Sequence, residues 1–305
     1  MKLFIFALAI LIFAGCEGKN KLSSYLSEDT ELLVLFVHGY RGRVNLSRFS
    51  QDMQPILSKY NKYYHAETYT WDSAGSWRKA KKEAKKEAKT LANQIKIYED
   101  GGTPYYLIGY SLGAKVVIES LKQSSNDLTK LRGVYLLGAA DNMNQQIGTG
   151  LFKQDFKIIN YHSPYHDKTL KRYYQMAEFG EKAGGRKGFA NEEEFTNYET
   201  GASHSPSDGE CNFFNMAKSI AHLIAYNEQQ SFHGSDNLAP SPLEYSSENK
   251  RWNNILKLNN YMIQQNSCDK NDNNYRAIDN NDTVWVENGS LLAIIQKIQD
   301  KLNTD

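Results

Sequence analysis

The sequence predicts an α/β protein whose mostly parallel sheet is covered by helices on both faces. Short apolar runs rich in branched side chains alternate along the chain with segments of helical spacing. Strand and helix patterns that alternate in this way are typical of βαβ units. A length of 305 residues, with 40% hydrophobic and 23% charged residues, suits one globular domain or one domain with an appendage.

The first half of the chain provides two predicted strands and two predicted helices. "LLVLFV" at 32–37 is a continuous apolar run that stops at a glycine-containing segment, as a strand buried on both faces does. Residues 46–60 have helical spacing, although Pro55 interrupts it. The side chains of residues 65–71 alternate in character, which predicts a second strand. Apolar residues spaced three and four apart predict the clearest helix, over 77–98.

The outer face of the 77–98 helix is rich in lysine, in the segment "KKEAKKEAK". We interpret this face as a solvated surface on which glutamate and lysine side chains pair. Contact of the lysines with anionic lipid is the alternative interpretation.

The second half of the chain continues the alternation. "YYLIG" at 105–109 predicts a strand, and "LGAKVVIESLKQ" at 112–123 predicts the helix that follows it. The remaining elements are strands at 133–141, at the start of 156–167 and at 194–200, and a helix at 211–227. Residues 168–194 form a long connection and are a candidate lid or substrate loop.

The segment "GYSLG" at 109–113 places Ser111 between a predicted strand and a predicted helix. In a nucleophile elbow the turn is so sharp that side chains two residues before and after the serine would collide with backbone. Gly109 and Gly113 relieve this crowding and leave the hydroxyl exposed. The helix N-terminus favours negative charge, so the amide of Leu112 lies where an oxyanion would form. A serine in a tight turn without a catalytic role is the alternative.

In this strand–turn–helix context the chain resembles the serine α/β-hydrolases of the lipase and esterase group, over residues 30–228. "GYSLG" resembles their nucleophile elbow, and "VHGYRG" at 37–42 resembles the segment after the third strand of that fold. The resemblance implies that Tyr40, with Arg41 as the alternative, provides an oxyanion-hole amide, while His38 is structural. It also implies a minimal α/β-hydrolase fold in which the first two strands are missing, and no metal or organic cofactor.

The resemblance also implies an acid that follows the serine along the chain. Members of the group place this acid in the loop after the strand that follows 133–141, which selects Asp167 in "SPYHD". Asp141, in the earlier loop, is the alternative acid. Asp167 also precedes a helical pattern, so a helix N-cap is its alternative role.

The base of the implied triad is a histidine that follows the last strand. His204 lies there, in the small polar loop "GASHSPSDGE", and His233 is the alternative. A solvated loop histidine is the alternative role of His204. His162 and His166 are too close to the proposed acid, and His222 falls inside a predicted helix.

The resemblance implies a serine hydrolase that cleaves carboxylic esters of small molecules or lipids through an acyl-enzyme. A thioesterase, amidase or acyltransferase on the same fold is one alternative, and a non-catalytic binding lipoprotein of the cell envelope is another. The formal charge of +1, from 36 basic and 35 acidic residues, indicates no nucleic-acid partner.

The two ends of the chain differ in composition from the α/β segment between them. Residues 1–15 resemble a bacterial lipoprotein signal, which implies cleavage before Cys16, lipidation of Cys16, and a polar tether over 16–29 in an exported, membrane-anchored protein. An ordinary cleaved signal or an uncleaved anchor helix is the alternative. An oxidising compartment permits a disulfide between the two remaining cysteines, Cys211 and Cys268, and the sequence alone does not decide whether they pair.

Residues 229–305 contain two amphipathic patterns, "WNNILKLNNYMIQQ" and "LLAIIQKIQDKL", which predict a helical C-terminal extension.

Overall fold

The computed structural model shows how the predicted elements assemble. It describes residues 30–42, 46–124, 128–148, 158–178, 180–204, 212–232, 252–258, 261–266, 275–279, 283–289 and 291–302. The proposed signal and tether, Cys16, His233 and the cysteine pair Cys211 and Cys268 lie outside these residues. Within the described part, no helix is both long enough and apolar enough to cross a bilayer.

The main sheet has six strands in the described part of the chain, and every neighbouring pair is parallel. The strands are β1 (Leu32–Val37), β2 (Tyr64–Tyr69), β3 (Tyr105–Tyr110), β4 (Leu131–Leu137), β5 (Ile158–His162) and β6 (Phe195–Glu199). Their order in the sheet is β2-β1-β3-β4-β5-β6. This is a minimal α/β-hydrolase arrangement, so the predicted fold class is confirmed.

Helices connect the strands and cover the sheet. They are α1 (Leu46–Tyr60), α2 (Trp77–Gly101), α3 (Leu112–Gln123), α4 (Lys168–Ala177), α5 (Gly184–Lys187), α6 (Ala217–Phe232) and α7 (Leu291–Leu302). The predicted helices over 46–60 and 112–123 have these bounds, and Pro55 is accommodated inside α1. α2 begins at the Ser76 N-cap and ends at Gly102, whose φ of 75° is the left-handed conformation that glycine adopts readily. The candidate lid over 168–194 contains α4 and α5.

The prediction of a helical C-terminal extension is wrong for its first part. Residues 252–289 contain four antiparallel strands in the order β10-β9-β8-β7. They are β7 (Trp252–Leu258), β8 (Tyr261–Asn266), β9 (Tyr275–Asp279) and β10 (Val284–Gly289). The predicted helix at "LLAIIQKIQDKL" is confirmed as α7.

The four C-terminal strands are explained by pairing that local helical spacing does not reveal. Only two residues, both asparagine, separate the paired residues Leu258 and Tyr261, and asparagine is favoured in two-residue hairpin connections. The sheet packs against α7, and the hydroxyls of Ser219 on α6 and Tyr275 on β9 are 2.7 Å apart. Cross-strand pairs and packing on α7 therefore outweigh the helical pattern of the hairpin sequence.

The contact between α3 and β1 determines how closely the serine turn approaches the sheet. A Cβ added at Gly113 would lie 2.1 Å from the carbonyl oxygen of Val37, so backbone would have to move. We expect Gly113→Ala to lower the free energy of unfolding by at least about 3 kcal/mol.

Gly101→Ala is the matched control, because a Cβ there meets nothing within 4 Å and the residue ends α2. It should raise the free energy of unfolding by up to about 1 kcal/mol. Urea denaturation of both variants measures the difference, and equal stabilities would contradict the close approach of α3 to β1.

Candidate active site

Ser111 lies in the turn between β3 and α3 with a strained backbone. Its φ of 54° and ψ of −121° are rare for a residue with a side chain. Three backbone hydrogen bonds hold this conformation. The N–H of Ser111 donates to the Leu137 carbonyl at 2.9 Å, and the Ser111 carbonyl accepts from Ala140 at 2.9 Å and Ala114 at 3.1 Å. The predicted sharp turn is therefore present and is fastened to the end of β4.

The glycines around Ser111 permit its close packing. At Gly109 an added Cβ would lie 2.6 Å from Ala114 Cα, which agrees with the spatial requirement that the sequence indicated. Gly39 is a third such position, since its Cβ would lie 2.7 Å from Ser111 Cβ. Sequence reasoning did not assign this contact to Gly39.

The expectation of an exposed hydroxyl is wrong for this structure. Ser111 is only 3% exposed. The close approach of Gly39 and the ring of His204 cover the side chain, as the contacts with both residues show.

His204 connects Ser111 to Asp167. Its Nε2 is 2.8 Å from Ser111 Oγ, and its Nδ1 is 2.7 Å from Asp167 Oδ2. A carboxylate can only accept, so Nδ1 carries the proton and Nε2 is free to accept the serine hydroxyl. All three residues are buried. The structure thus brings together the three residues that the sequence nominated, in the order Ser–His–Asp.

Asp167 has both of the roles that the sequence left open. It is the N-cap of α4, where its Oδ1 accepts a hydrogen bond from the Leu170 N–H at 2.7 Å. Its other oxygen accepts from His204. One carboxylate therefore orients the imidazole and starts the helix, so the position of α4 and the orientation of the imidazole are linked.

The alternative acid, Asp141, has a different partner. Its Oδ1 is 2.6 Å from Lys115 Nζ in a buried ion pair, and it also accepts from the Asn142 N–H at 2.9 Å. This pair joins α3 to the loop after β4. The geometry therefore favours Asp167 over Asp141 as the partner of the imidazole.

The loop after β1 approaches Ser111 and contains the proposed oxyanion donor. The Arg41 N–H donates to the Ser73 carbonyl at 3.4 Å, which favours Tyr40 over Arg41 as the source of a free amide. The Leu112 N–H lies in the first turn of α3, where amides have no partner within the helix. The amides of Tyr40 and Leu112 remain the candidate pair.

His38 anchors this loop to the segment after β2. Its Nδ1 donates to the Gly39 carbonyl at 2.8 Å, and its Nε2 accepts from the Trp71 N–H at 3.2 Å. The indole of Trp71 stacks on the imidazole and donates to the His38 carbonyl at 2.8 Å. Burial lowers the pKa of His38, which keeps the ring neutral. These contacts give His38 a structural position.

Tyr110 is a further residue of the site, next to His204. Its hydroxyl donates to the His204 carbonyl at 2.5 Å, and its ring centroid lies 5.2 Å from that of the imidazole. Tyr110 therefore holds the backbone that presents His204. Its place beside Ser111 in "GYSLG" does not by itself indicate this contact with His204.

An aromatic cluster of Tyr40, Trp77 and Tyr173 borders the loop after β1. The rings of Trp77 and Tyr173 stack with centroids 4.8 Å apart, and Tyr40 meets each of them edge-on. Glu178 joins the end of α4 to the start of α2, because it accepts from Trp77 Nε1 and from Lys81 Nζ, each at 2.6 Å. α4 is thus held against α2 at both its middle and its end.

Metal-binding residues do not cluster in the described part of the chain. Among those residues, no group of three or more His, Cys, Asp or Glu side chains is placed to hold a metal ion. The interactions at Ser111 are hydrogen bonds among protein groups.

Comparison with known proteins identifies one matching family and several partial likenesses. Residues 72–204 match a family described as a protein of unknown function, DUF726. The matched range contains Ser111, Asp167 and His204. A stretch of 96 residues is 34% identical to a Haemophilus influenzae protein named as a 2-succinyl-6-hydroxy-2,4-cyclohexadiene-1-carboxylate synthase. This stretch covers 30% of the chain and spans only 38% of that relative.

Two solved structures illustrate the likenesses of fold. An alpha-beta serine hydrolase homologue from Coxiella burnetii is 12% identical with a TM-score of 0.37, covering 65% of this chain and 85% of that one. The catalytic core domain of acetyl xylan esterase from Trichoderma reesei is 10% identical with a TM-score of 0.36, covering 67% and 96%.

A half-buried histidine beside the acid loop should make stability depend on pH. Burial lowers the pKa of His162, at the end of β5, from 6.5 to about 4, and the charge of Lys187 acts in the same direction. Between these values the unfolded chain binds a proton that the folded chain does not. The free energy of unfolding should therefore fall as the pH falls from about 6.5 to about 4.

Urea denaturation at several pH values measures this dependence. We expect His162→Gln to reduce the change in the free energy of unfolding between pH about 6.5 and about 4 by up to about 3 kcal/mol. If this change is the same in wild type and variant, the burial of a neutral His162 is not what makes stability depend on pH.

Proposed function

We propose that this protein is a serine hydrolase that cleaves carboxylic esters. The supporting observation is the continuous series of hydrogen bonds from Asp167 through His204 to Ser111, at 2.7 and 2.8 Å. Serine alone is a weak nucleophile, and it is activated when an oriented imidazole can accept its proton. The strained turn at Ser111 is also typical of functional sites.

The proposed reaction begins with acylation of Ser111. Its Oγ attacks the acyl carbon while His204 Nε2 accepts the hydroxyl proton, and the carbonyl π electrons move to the oxygen. Asp167 stabilises the imidazolium and keeps it oriented. When the tetrahedral intermediate collapses, the bond to the alcohol oxygen breaks and that oxygen takes the proton from Nε2.

Water then releases the acyl group. Nε2 accepts a proton from the water as its oxygen attacks the acyl-enzyme carbonyl. When the second intermediate collapses, the bond to Ser111 Oγ breaks and Oγ takes the proton back from Nε2, which leaves a carboxylic acid and the free serine. The amides of Tyr40 and Leu112 donate to the oxyanion in both steps. The reaction needs only these protein groups and water.

A thioesterase, amidase or acyltransferase would use the same three side chains. These activities differ in the leaving group or in the acceptor that replaces water. Measuring the turnover of matched ester, thioester and amide substrates by one preparation, with and without an alcohol acceptor, distinguishes them. Faster turnover of the thioester or amide, or transfer to the alcohol, would overturn the ester assignment.

Labelling with a fluorophosphonate tests whether Ser111 is the nucleophile. We expect Ser111→Ala to abolish labelling and to lower kcat by at least about 10⁴-fold, with a similar loss for His204→Ala. Because Ser111 is buried, small phosphonates should label faster than bulky ones. Ser120→Ala, in the same helix α3, is the control that should keep full labelling. A well-folded wild type that takes up no label would favour a binding protein.

The two carboxylates near the site provide a second, paired test. Asp167→Asn should lower kcat by about 10⁴-fold, because the amide cannot hold the imidazole in the required tautomer. Asp141→Asn should retain most of the activity, because Asp141 pairs with Lys115 instead. Ester hydrolysis by the two folded variants, checked by circular dichroism, measures the difference. Equal losses would contradict the assignment of Asp167.

We also propose that Cys16 is lipidated and anchors the protein in the cell envelope of a bacterium. The motif "FAGC" after an apolar run supports this proposal. Cys16→Ser should move the protein out of the membrane fraction and remove incorporation of labelled fatty acid. Unchanged incorporation in the variant would exclude lipidation at this residue.

A further inference from the structure

The helix α4 lies near the carboxyl ends of the strands of the main sheet, where Ser111 is also found. Its N-cap, Asp167, binds His204, which binds Ser111. In its middle, Tyr173 contacts both Trp77 and Tyr40, and Tyr40 follows the glycine that packs on Ser111. The start and the middle of α4 therefore border the active site.

The exposed side of α4 is basic. Lys168, Lys171 and Arg172 are exposed, and the helix contains no acidic residue from Lys168 to Ala177. The first acidic residue after the helix, Glu178, is already paired with Lys81. The positive charge of α4 is thus uncompensated within the helix.

The beginning of α2 extends this basic surface. Trp77 and Lys81 contact Tyr173 and Glu178, so the first two turns of α2 adjoin α4. In those turns Arg78, Lys79 and Lys82 are exposed, and the segment from Trp77 to Lys82 contains no acid. Six cations on two adjoining helices contrast with the formal charge of +1 for the whole chain.

Two large apolar side chains are exposed beside these cations. Tyr165, in the loop before α4, is 74% exposed, and Met176, near the end of α4, is 73% exposed. They are the two most exposed large hydrophobic side chains in the described part of the chain. Apolar side chains surrounded by Lys and Arg are typical of surfaces that lie on a membrane.

We infer that this surface, which we call the α4 face, docks on an anionic lipid membrane. It consists of Tyr165, Lys168, Lys171, Arg172 and Met176 with Arg78, Lys79 and Lys82. The cations bind lipid phosphates, and Tyr165 and Met176 enter the boundary between headgroups and acyl chains. The α4 face lies beside Ser111, so docking presents the active site to the lipid. The inference stands whether or not the acyl chemistry is that of an ester.

A membrane fits the α4 face better than a folded acidic partner. Its cations are distributed over two helices, and a fluid layer of phosphates can reach all of them without matching a fixed shape. Each basic residue near such a surface contributes about fivefold to partitioning, so a few of them suffice for binding at low salt.

Partitioning of the full chain into vesicles tests the inference. The readout is the ratio of the partition coefficient for vesicles of equal parts phosphatidylcholine and phosphatidylglycerol to that for phosphatidylcholine alone. Contributions from the N-terminal apolar segment cancel when variants are compared by this ratio. The double variant Lys171→Glu/Arg172→Glu should lower the ratio at least about 25-fold.

Lys59→Glu/Lys62→Glu is the matched control, because it changes the net charge equally. Lys59 is exposed in the last turn of α1, and Lys62 is exposed between α1 and β2, at the amino ends of the strands and so opposite Ser111. The control should keep the wild-type ratio within a few-fold. Equal losses in both double variants, or a wild-type ratio near one, would overturn the inference.

Tyr165→Ser/Met176→Ser tests the apolar part of the α4 face. Neither side chain is packed, so this double variant should fold and keep the wild-type melting temperature. Binding to the anionic vesicles at high salt should fall several-fold, since salt screens the cations but not apolar insertion. Unchanged binding at high salt would show that Tyr165 and Met176 do not enter the lipid.

Discussion

The backbone conformation at Ser111 is the constraint on which the site depends. A residue with a side chain does not adopt φ near 54° and ψ near −121° unless neighbouring structure requires it. Here the Leu137 carbonyl and the Ala140 amide bind the two sides of the Ser111 peptide, and Gly39 and Gly113 allow the β1 loop and α3 to approach it. The sheet thereby stores strain at one residue and directs its hydroxyl toward His204.

The two oxygens of Asp167 connect this strained turn to the helix that borders the site. One oxygen holds the imidazole, and the other begins α4. Tyr173 and Glu178 then fasten α4 to Trp77 and Lys81 of α2. A displacement of α4 would therefore disturb the acid, the aromatic cluster and the basic surface together. This link gives a physical route by which the surroundings of α4 influence the orientation of His204.

Sequence patterns predicted the elements best where the local pattern and the tertiary contacts favour the same structure. β1 and β3 are buried on both faces, so their continuous apolar runs identify them. The helical pattern of α2 agrees with its buried face, which includes Trp77 and Leu91. The hairpin of β7 and β8 is the counterexample, because its residues at helical spacing pair across strands instead. Its stability comes from pairing with β9 and from packing on α7, and these contacts leave no local pattern in the hairpin sequence.

The sequence by itself determined the order of the six strands of the main sheet along the chain, the sharp turn at Ser111, and the candidates for its partners. These features follow from periodicity and from glycine spacing, which act over a few residues. Only the tertiary structure decided between Asp167 and Asp141, showed Tyr110 behind His204, and placed the cations of α2 beside those of α4. Such choices depend on contacts between residues that are far apart in the chain. The carboxylate that reaches the imidazole is the one that lies close to it in the folded chain. Neighbouring residues in the sequence do not determine that distance.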